Sequence, residues 1–128
     1  PVVAQLHAVQ NRPATSEFGY ADQAVFSVEQ PELHLHPALQ SNLADLFAGV
    51  AGTDSFLVDD IRVLIETHSE TMISQLGLLV STGELVPEDV AVYFVEKDEF
   101  SNTASLHRAH FDEDGVIKDW PLGFFSPN

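Results

Sequence analysis

Three short apolar runs, separated by two segments with helical periodicity, constrain the fold of this chain more than any other feature. The runs cover residues 24–28, 61–65 and 90–95. Each is rich in β-branched or aromatic residues and too short for a helix, which predicts buried strands. Crossovers of this length join parallel neighbours through right-handed connections. We therefore expect an α/β domain with a mostly parallel sheet, flanking helices and both sheet faces covered.

Apolar spacing and end signals predict the two intervening helices. The first begins at Pro37, a residue that suits the first turn of a helix, and ends at two nearby glycines. Its apolar face consists of Leu39, Leu43, Leu46, Phe47 and Val50. Before the second helix, Thr67 and Glu70 have the spacing of a capping box, and Gly83 is a predicted C-cap.

The two ends of the chain differ from this middle part. Residues 1–23 are predicted to be the end of an amphipathic helix followed by a loop; the apolar face of that helix is Val2, Val3, Leu6 and Val9. Residues 24–100 form the predicted α/β core. Residues 101–128 are predicted to form a β-hairpin that turns at residues 112–115. An aromatic plug follows the hairpin, with largely buried Trp120, Phe124 and Phe125.

Composition excludes several classes of function. The 128 residues are 45% hydrophobic and include no Cys, so a disordered acidic tail, disulfides and thiol chemistry are all excluded. Asp and Glu number 20 against 5 Lys and Arg, a net charge of −15. We therefore expect no direct binding to nucleic acid and no binding to membranes. No apolar run approaches the roughly 20 residues of a membrane span, and we expect a cytoplasmic protein.

Carboxylates and imidazoles are concentrated where each predicted strand ends. Residues 29–36 read EQPELHLH, residues 66–69 read ETHS, and residues 96–99 read EKDE. Ligands of open α/β sheets collect at the carboxyl ends of the strands. A solvated face is the favoured interpretation of the third cluster, and the first two form the predicted site.

Two segments resemble motifs of ABC/SMC-type ATPases, and most closely those of the OLD-like group. Residues 28–37, VEQPELHLHP, resemble the Walker B strand and its adjoining loop; residues 65–70, IETHSE, resemble the switch-histidine motif. The tail DWPLGFF at residues 119–125 is similar to that of a poorly characterised bacterial subset of this group. The resemblance implies a partial P-loop NTPase fold, the C-terminal lobe of an ATPase head that uses ATP and Mg²⁺.

The resemblance implies a chemical role for four residues. Glu29, where the family more often has Asp, would hold Mg²⁺. Gln30 replaces the Glu that polarises the attacking water, and an amide can orient water but cannot accept its proton. Hydrolysis is then slow, or Glu32 accepts the proton, or ATP serves to clamp the head. His68 would contact the γ-phosphate.

The same resemblance implies partners for the chain. His34, His36 and Gln40 match the loop that in this family crosses a dimer interface toward the nucleotide of the other copy. The phosphate-gripping loop G-x-x-x-x-G-K-[ST] does not occur in the sequence. We expect a missing N-terminal lobe to supply it, the full protein to form a homodimer, and the isolated chain to bind ATP weakly or not at all.

Two alternatives arise from the first motif. Glu32, His34 and His36 alternate, so on a strand they would share one face and could bind Zn²⁺. The neutral Gln30 and the absent phosphate loop also allow a non-catalytic interaction module derived from an ATPase.

A Toprim-like, metal-dependent nuclease is the third alternative. Glu96 follows a predicted strand, and Asp112 and Asp114 have the D-x-D spacing of that layout. However, Lys97 stands where a Gly is expected, and turn chemistry explains residues 112–115.

Overall fold

A computed structural model describes residues 2–7, 23–51 and 60–121. These residues form six strands and two α-helices, with a short 3₁₀ turn at Pro87–Asp89. In chain order the elements are β1 (Val2–His7), β2 (Gln23–Glu29), α1 (Pro37–Ala51), β3 (Asp60–Thr67), α2 (Glu70–Ser81), β4 (Val90–Lys97), β5 (Ala104–Phe111) and β6 (Ile117–Lys118). The prediction of an α/β domain with strands at 24–28, 61–65 and 90–95 is confirmed.

The strands form one sheet in the order β2-β3-β1-β4-β5-β6. Among the described strands, β2 and β3 are the one parallel pair, and every other neighbouring pair is antiparallel. Because β1 is antiparallel to both β3 and β4, those two strands run in the same direction as β2. The prediction of a mostly parallel sheet is therefore wrong, since β1 lies between two of the strands that were expected to pair directly.

Strand β1 replaces the predicted N-terminal helix end. Its Val3 pairs with Glu66 of β3 on one side and with Tyr93 of β4 on the other. The segment begins with two β-branched residues, which favour a strand, and six residues are too few for a stable helix. The predicted loop that follows, at residues 8–22, lies outside the described residues.

The hydrophobic core lies between the two helices and one face of the sheet. Phe47 of α1 and Leu76 of α2 belong to the same buried cluster as Val63 of β3 and Val92 of β4. Leu64, which points to the other face, is only partly buried. Both described helices therefore cover the same face, and the prediction that both sheet faces are covered is wrong for the part of the chain that the structure describes.

The start of α2 lies two residues later than the predicted capping box. Ser69 is the N-cap, and its Oγ accepts a hydrogen bond from the backbone N–H of Met72 at 3.1 Å. Thr67 instead ends β3, and its Oγ1 accepts from the N–H of Ser69 at 3.0 Å. Glu70 is the first helical residue. The predicted Thr67–Glu70 box is therefore wrong, because Thr67 remains in the sheet.

The end of α2 is confirmed at Gly83. This glycine has φ +78°, a conformation that a side chain would strain. Its N–H donates to the carbonyl of Val80, and the N–H of Glu84 donates to that of Leu79, both at 3.0 Å. These are the two hydrogen bonds of a Schellman motif.

The C-terminal hairpin is also confirmed. Strands β5 and β6 pair across a turn that the Gly115 N–H closes onto the Asp112 carbonyl at 3.0 Å. Gly115 lies against the backbone of Gly77, so the hairpin packs directly on α2. Trp120 is half-buried and packs against Phe94, with ring centroids 5.5 Å apart. The other two residues of the predicted plug, Phe124 and Phe125, lie outside the described residues.

Candidate functional site

The carboxyl ends of β2 and β3 bring the two motif segments together. Glu29, the last residue of β2, lies beside Glu66, the next-to-last residue of β3, in the parallel register. The N–H of the next residue, Gln30, donates to the Glu66 carbonyl at 2.7 Å, so the pairing continues past the end of β2. Residues 29–36 and 66–69 therefore meet at one edge of the sheet, as the sequence predicts.

The loop at residues 30–36, between β2 and α1, contains two residues with left-handed backbone. Gln30 has φ +44° and His34 has φ +65°. Two turns shape the loop. The Leu33 N–H donates to the Gln30 carbonyl at 3.2 Å, and the Leu35 N–H donates to the Glu32 carbonyl at 3.0 Å. Left-handed backbone costs a residue with a side chain about 1–2 kcal/mol. Such strain is concentrated at functional sites.

Glu32 connects this loop to the segment that follows β3. The residue is buried, with 8% of its surface exposed, and its side-chain Oε1 accepts a hydrogen bond from the backbone N–H of His68 at 2.7 Å. Its Oε2 is also buried and has no hydrogen-bond partner among the described residues. A hydrogen bond to an ionised acceptor is stronger than one between neutral groups. One carboxylate therefore holds the two loops together.

Gln40 makes a second connection between the same segments. Its Oε1 accepts from the Ser69 hydroxyl at 2.5 Å, and its Nε2 donates to the Leu35 carbonyl at 3.0 Å. Both ends of the amide are thus bonded to protein groups. Gln40 therefore ties the first turn of α1 to the N-cap of α2.

Among the remaining predicted site residues, Glu29, His36 and His68 are exposed and Gln30 is partly buried. Glu29 lies at the end of β2, and the His68 imidazole lies at the start of α2. His36 directly precedes α1, and its Nδ1 accepts from the Ala38 N–H at 3.3 Å, so it caps that helix. The amides at a helix N-terminus favour anions, which makes the surroundings of His68 suitable for a phosphate group.

The structure does not favour a zinc site on the first motif. Residues 31–34 form a turn rather than a strand, so Glu32 and His34 do not alternate along an extended backbone. Within residues 23–51 and 60–121, no three His, Cys, Asp or Glu side chains are grouped as a metal site requires.

The Toprim-like arrangement is not favoured either. Glu96 pairs with Ser105 at one end of the β4–β5 ladder, whereas Asp112 follows the opposite end of that ladder. The Asp112 carboxylate also has a structural task, since its Oδ1 accepts from the N–H groups of Asp114 at 3.1 Å and Val116 at 2.8 Å.

The third acidic cluster forms a solvated turn. The side chain of Asp98 accepts from the Ser101 hydroxyl at 2.6 Å and from the Phe100 N–H at 2.8 Å. These hydrogen bonds, the first above all, lower the pKa of Asp98. Because these partners lie within three residues of Asp98, its carboxylate stabilises its own turn. The first two clusters therefore remain the candidate site.

Comparison with known families identifies the chain. The model of the AAA ATPase domain matches residues 8–73, which is more than half of the sequence and includes both segments of the site. The chain belongs to the AAA ATPase domain family. Domains of this family use ATP and Mg²⁺ in general. Residues 85–126 match a second family model, described as a protein of unknown function, DUF3696, which covers β4, the hairpin and Trp120.

No curated protein and no solved structure gives a significant match. None of the helices in the described residues has the length and apolar character that a membrane span requires.

Proposed function

We propose that the edge formed by β2 and β3 is part of a Mg-ATP site, in the C-terminal lobe of an ABC/SMC-type ATPase head of the OLD-like kind. Family membership supports nucleotide use, and the order and spacing of the two motifs support this type of head. The observation that carries the proposal is the 2.7 Å hydrogen bond from the His68 N–H to Glu32, because it joins the two motif segments directly.

The residues at this edge fit Mg²⁺ and a phosphate chain. Mg²⁺ prefers oxygen ligands and is commonly held by one or two carboxylates, with waters and substrate phosphates completing the shell. Glu29 supplies an exposed carboxylate at a rigid strand end, and Glu66 is its neighbour in register. When bound, Mg²⁺ neutralises charge that develops on the phosphates. The donor set is therefore chemically suitable.

The other site residues take separate roles in this proposal. The His68 imidazole and the N-terminal amides of α2 receive the γ-phosphate. Gln30 orients the attacking water without accepting its proton, since its amide is not a base. His36, which is exposed, faces the nucleotide of a second copy in a homodimer. Gln40 and Glu32 hold these groups in place through the hydrogen bonds described above.

The phosphate-gripping loop comes from another part of the protein in this proposal. The sequence contains no G-x-x-x-x-G-K-[ST] segment, and its two lysines, Lys97 and Lys118, do not follow glycines. The natural protein that contains this chain is therefore the right material for a test, with this chain alone as a comparison that we expect to bind ATP weakly.

Calorimetric titration of that natural protein with ATP and with ADP, in the presence of Mg²⁺, tests the proposal. Only ATP carries the group that His68 receives, so His68→Ala should reduce the preference for ATP over ADP about tenfold or more, the size of a hydrogen bond to a charged group. His110→Ala is the matched control, because His110 lies on the exposed hairpin and pairs with Asp119. Equal behaviour of the two variants, or no binding of Mg-ATP to the natural protein, would refute the proposal.

A non-catalytic module is the second candidate, and the neutral side chain of Gln30 favours it. This candidate is an interaction module that only scaffolds, and it predicts that His68→Ala changes no activity of the natural protein and that ATP is turned over at no measurable rate. Single-turnover measurements separate the two candidates, since measurable phosphate release in the wild type contradicts the non-catalytic one.

A further inference from the structure

Glu32 is the only charged residue buried among residues 24–51 and 61–121. A buried carboxylate is costly unless its oxygens are hydrogen-bonded, and here one of the two oxygens has no partner in the described part of the chain. Each such group in a native structure calls for an explanation. Within the described residues, the Glu32 side chain accepts its hydrogen bond from the backbone of His68, so the explanation lies in that contact.

We propose that Glu32 is a positioning residue that fixes the backbone of His68 and so makes the response of His68 to a γ-phosphate depend on the loop at residues 30–36. This inference rests on the proposed function for the role of His68, but the positioning itself does not. The contact joins residues 36 positions apart in sequence. It therefore adds a side-chain link at His68 to the two other connections between these segments, which are Gln30 to Glu66 and Gln40 to Ser69.

The geometry around His68 explains why one contact can position it. The residue lies between the last residue of β3, Thr67, and the N-cap of α2, Ser69, both of which are buried. Ser69 is held by its own hydrogen bonds to Met72, Gln40 and Thr67. The His68 N–H is the remaining backbone donor of this junction, and Glu32 is its acceptor. Without that acceptor, the peptide unit that contains the His68 N–H would be free to rotate, and the imidazole would move with it.

The charge of Glu32 is separable from its acceptor function. A Gln at this position offers the same kind of oxygen to the His68 N–H without a buried charge, whereas an Ala offers none. An Asp retains the charge, but its carboxylate is one methylene closer to its own backbone and should not reach the His68 N–H. Comparison of the three variants therefore shows whether the hydrogen bond or the charge is what positions His68.

The first measurement is hydrogen exchange at the His68 amide, made on the nucleotide-free natural protein. We expect at least tenfold faster exchange in Glu32→Ala and in Glu32→Asp, and a rate close to wild type in Glu32→Gln. Gln75→Ala is the control: it removes the 2.8 Å hydrogen bond from Gln75 to Asp45, which also joins α1 to α2 but lies away from His68. An unchanged rate in Glu32→Ala, or an equal increase in the control, would overturn the inference.

The second measurement is a double-mutant cycle on the preference for ATP over ADP. If Glu32 acts through His68, Glu32→Ala should lose part of the preference, and Glu32→Ala/His68→Ala should lose no more than His68→Ala alone. Losses that add would show that Glu32 acts independently and would overturn the inference.

The two measurements fail separately. If His68→Ala leaves the nucleotide preference unchanged, the proposed function is wrong, while the exchange rate still decides whether Glu32 positions His68. If Glu32→Ala does not fold, as judged by circular dichroism, the exchange rates of Glu32→Gln and Glu32→Asp decide the matter: equal rates in these two variants would contradict the inference.

Discussion

Replacing Gly77 with alanine should destabilise the protein, although alanine favours the helix in which Gly77 lies. A Cβ at position 77 would lie 2.5 Å from the carbonyl oxygen of Gly115 and 3.2 Å from Cε1 of Phe111. The first of these atoms is backbone, in a turn whose Gly115 has φ +76°, so it cannot move aside as the end of a flexible side chain can. The hairpin would have to shift away from α2.

The magnitude follows from two opposing terms. Alanine in a helix interior is about 1 kcal/mol more favourable than glycine. Overpacking of a close contact costs typically 1–3 kcal/mol, and a contact with fixed backbone belongs at the upper end of that range. We therefore expect Gly77→Ala to lower the free energy of unfolding by about 1–2 kcal/mol.

Gly49→Ala is the matched control, because it is the same change in the other helix. Within the part of the chain that the structure describes, and apart from its chain neighbours and the backbone of α1, no atom lies within 4 Å of a Cβ at position 49. The preference of a helix for alanine over glycine then decides the outcome, so Gly49→Ala should raise the free energy of unfolding by up to about 1 kcal/mol. Position 49 is near the end of α1, which makes the gain smaller than in the middle of a helix.

Urea unfolding followed by the fluorescence of Trp120, the single tryptophan of the sequence, measures both effects. Trp120 packs on Phe94 and so reports on the region that the hairpin covers. If the dependence of the free energy of unfolding on urea concentration is unchanged, the urea midpoint should fall in Gly77→Ala and rise in Gly49→Ala. A Gly77→Ala variant as stable as wild type, or shifts of the same sign in both variants, would refute the argument that the two backbones meet at this point.

Three further predictions concern the caps, the hairpin turn and the chemistry. Ser69→Ala removes the N-cap of α2 and the hydrogen bond to Gln40, so it should lower the free energy of unfolding by about 1–2 kcal/mol in thermal melts, whereas Ser74→Ala on the exposed side of α2 should change little. The Val116 N–H, and after it Lys118, lower the pKa of Asp112. Wild type should therefore be more stable than Asp112→Asn above about pH 4, and this difference should disappear as the pH falls through the lowered pKa. Urea unfolding at several pH values measures it. Gln30→Glu restores a base beside the proposed nucleotide and should raise single-turnover hydrolysis by about 10²-fold or more; no increase would show that a missing base does not limit the reaction.

Local signals predicted much of the fold. The β-branched runs, the Pro at the start of α1 and the glycine after α2 are each sufficient to place an element, and the structure confirms them. The N-terminal strand is different, because residues 2–7 pair with β3 and β4, and two β-branched residues alone do not reveal those partners. Thr67 misled for a related reason: it matches a capping box, but it pairs with Val2 across the sheet.

The sequence predicts which residues lie together at the candidate site better than it predicts their burial and hydrogen bonds. Strand ends of one direction gather at one edge, so the grouping of Glu29, Gln30 and His68 follows from the sequence. The burial of Glu32 depends on a loop with two left-handed residues, a conformation that sequence patterns for Gln and His do not indicate. The bridge from Gln40 to Ser69 likewise depends on how the two helices pack.

The position of β1 has a consequence for assembly. Val2 pairs with both Thr67 and Phe94, so β1 obtains its two neighbours from segments that lie about 60 and 90 residues further along the chain. Contacts between such distant segments form slowly, because the entropy cost of closing a long loop comes before the stabilisation that the strand pairing provides. Until then β3 and β4 each present an open edge to the same gap, and an added peptide that mimics residues 2–7 should compete for it during refolding but not afterwards.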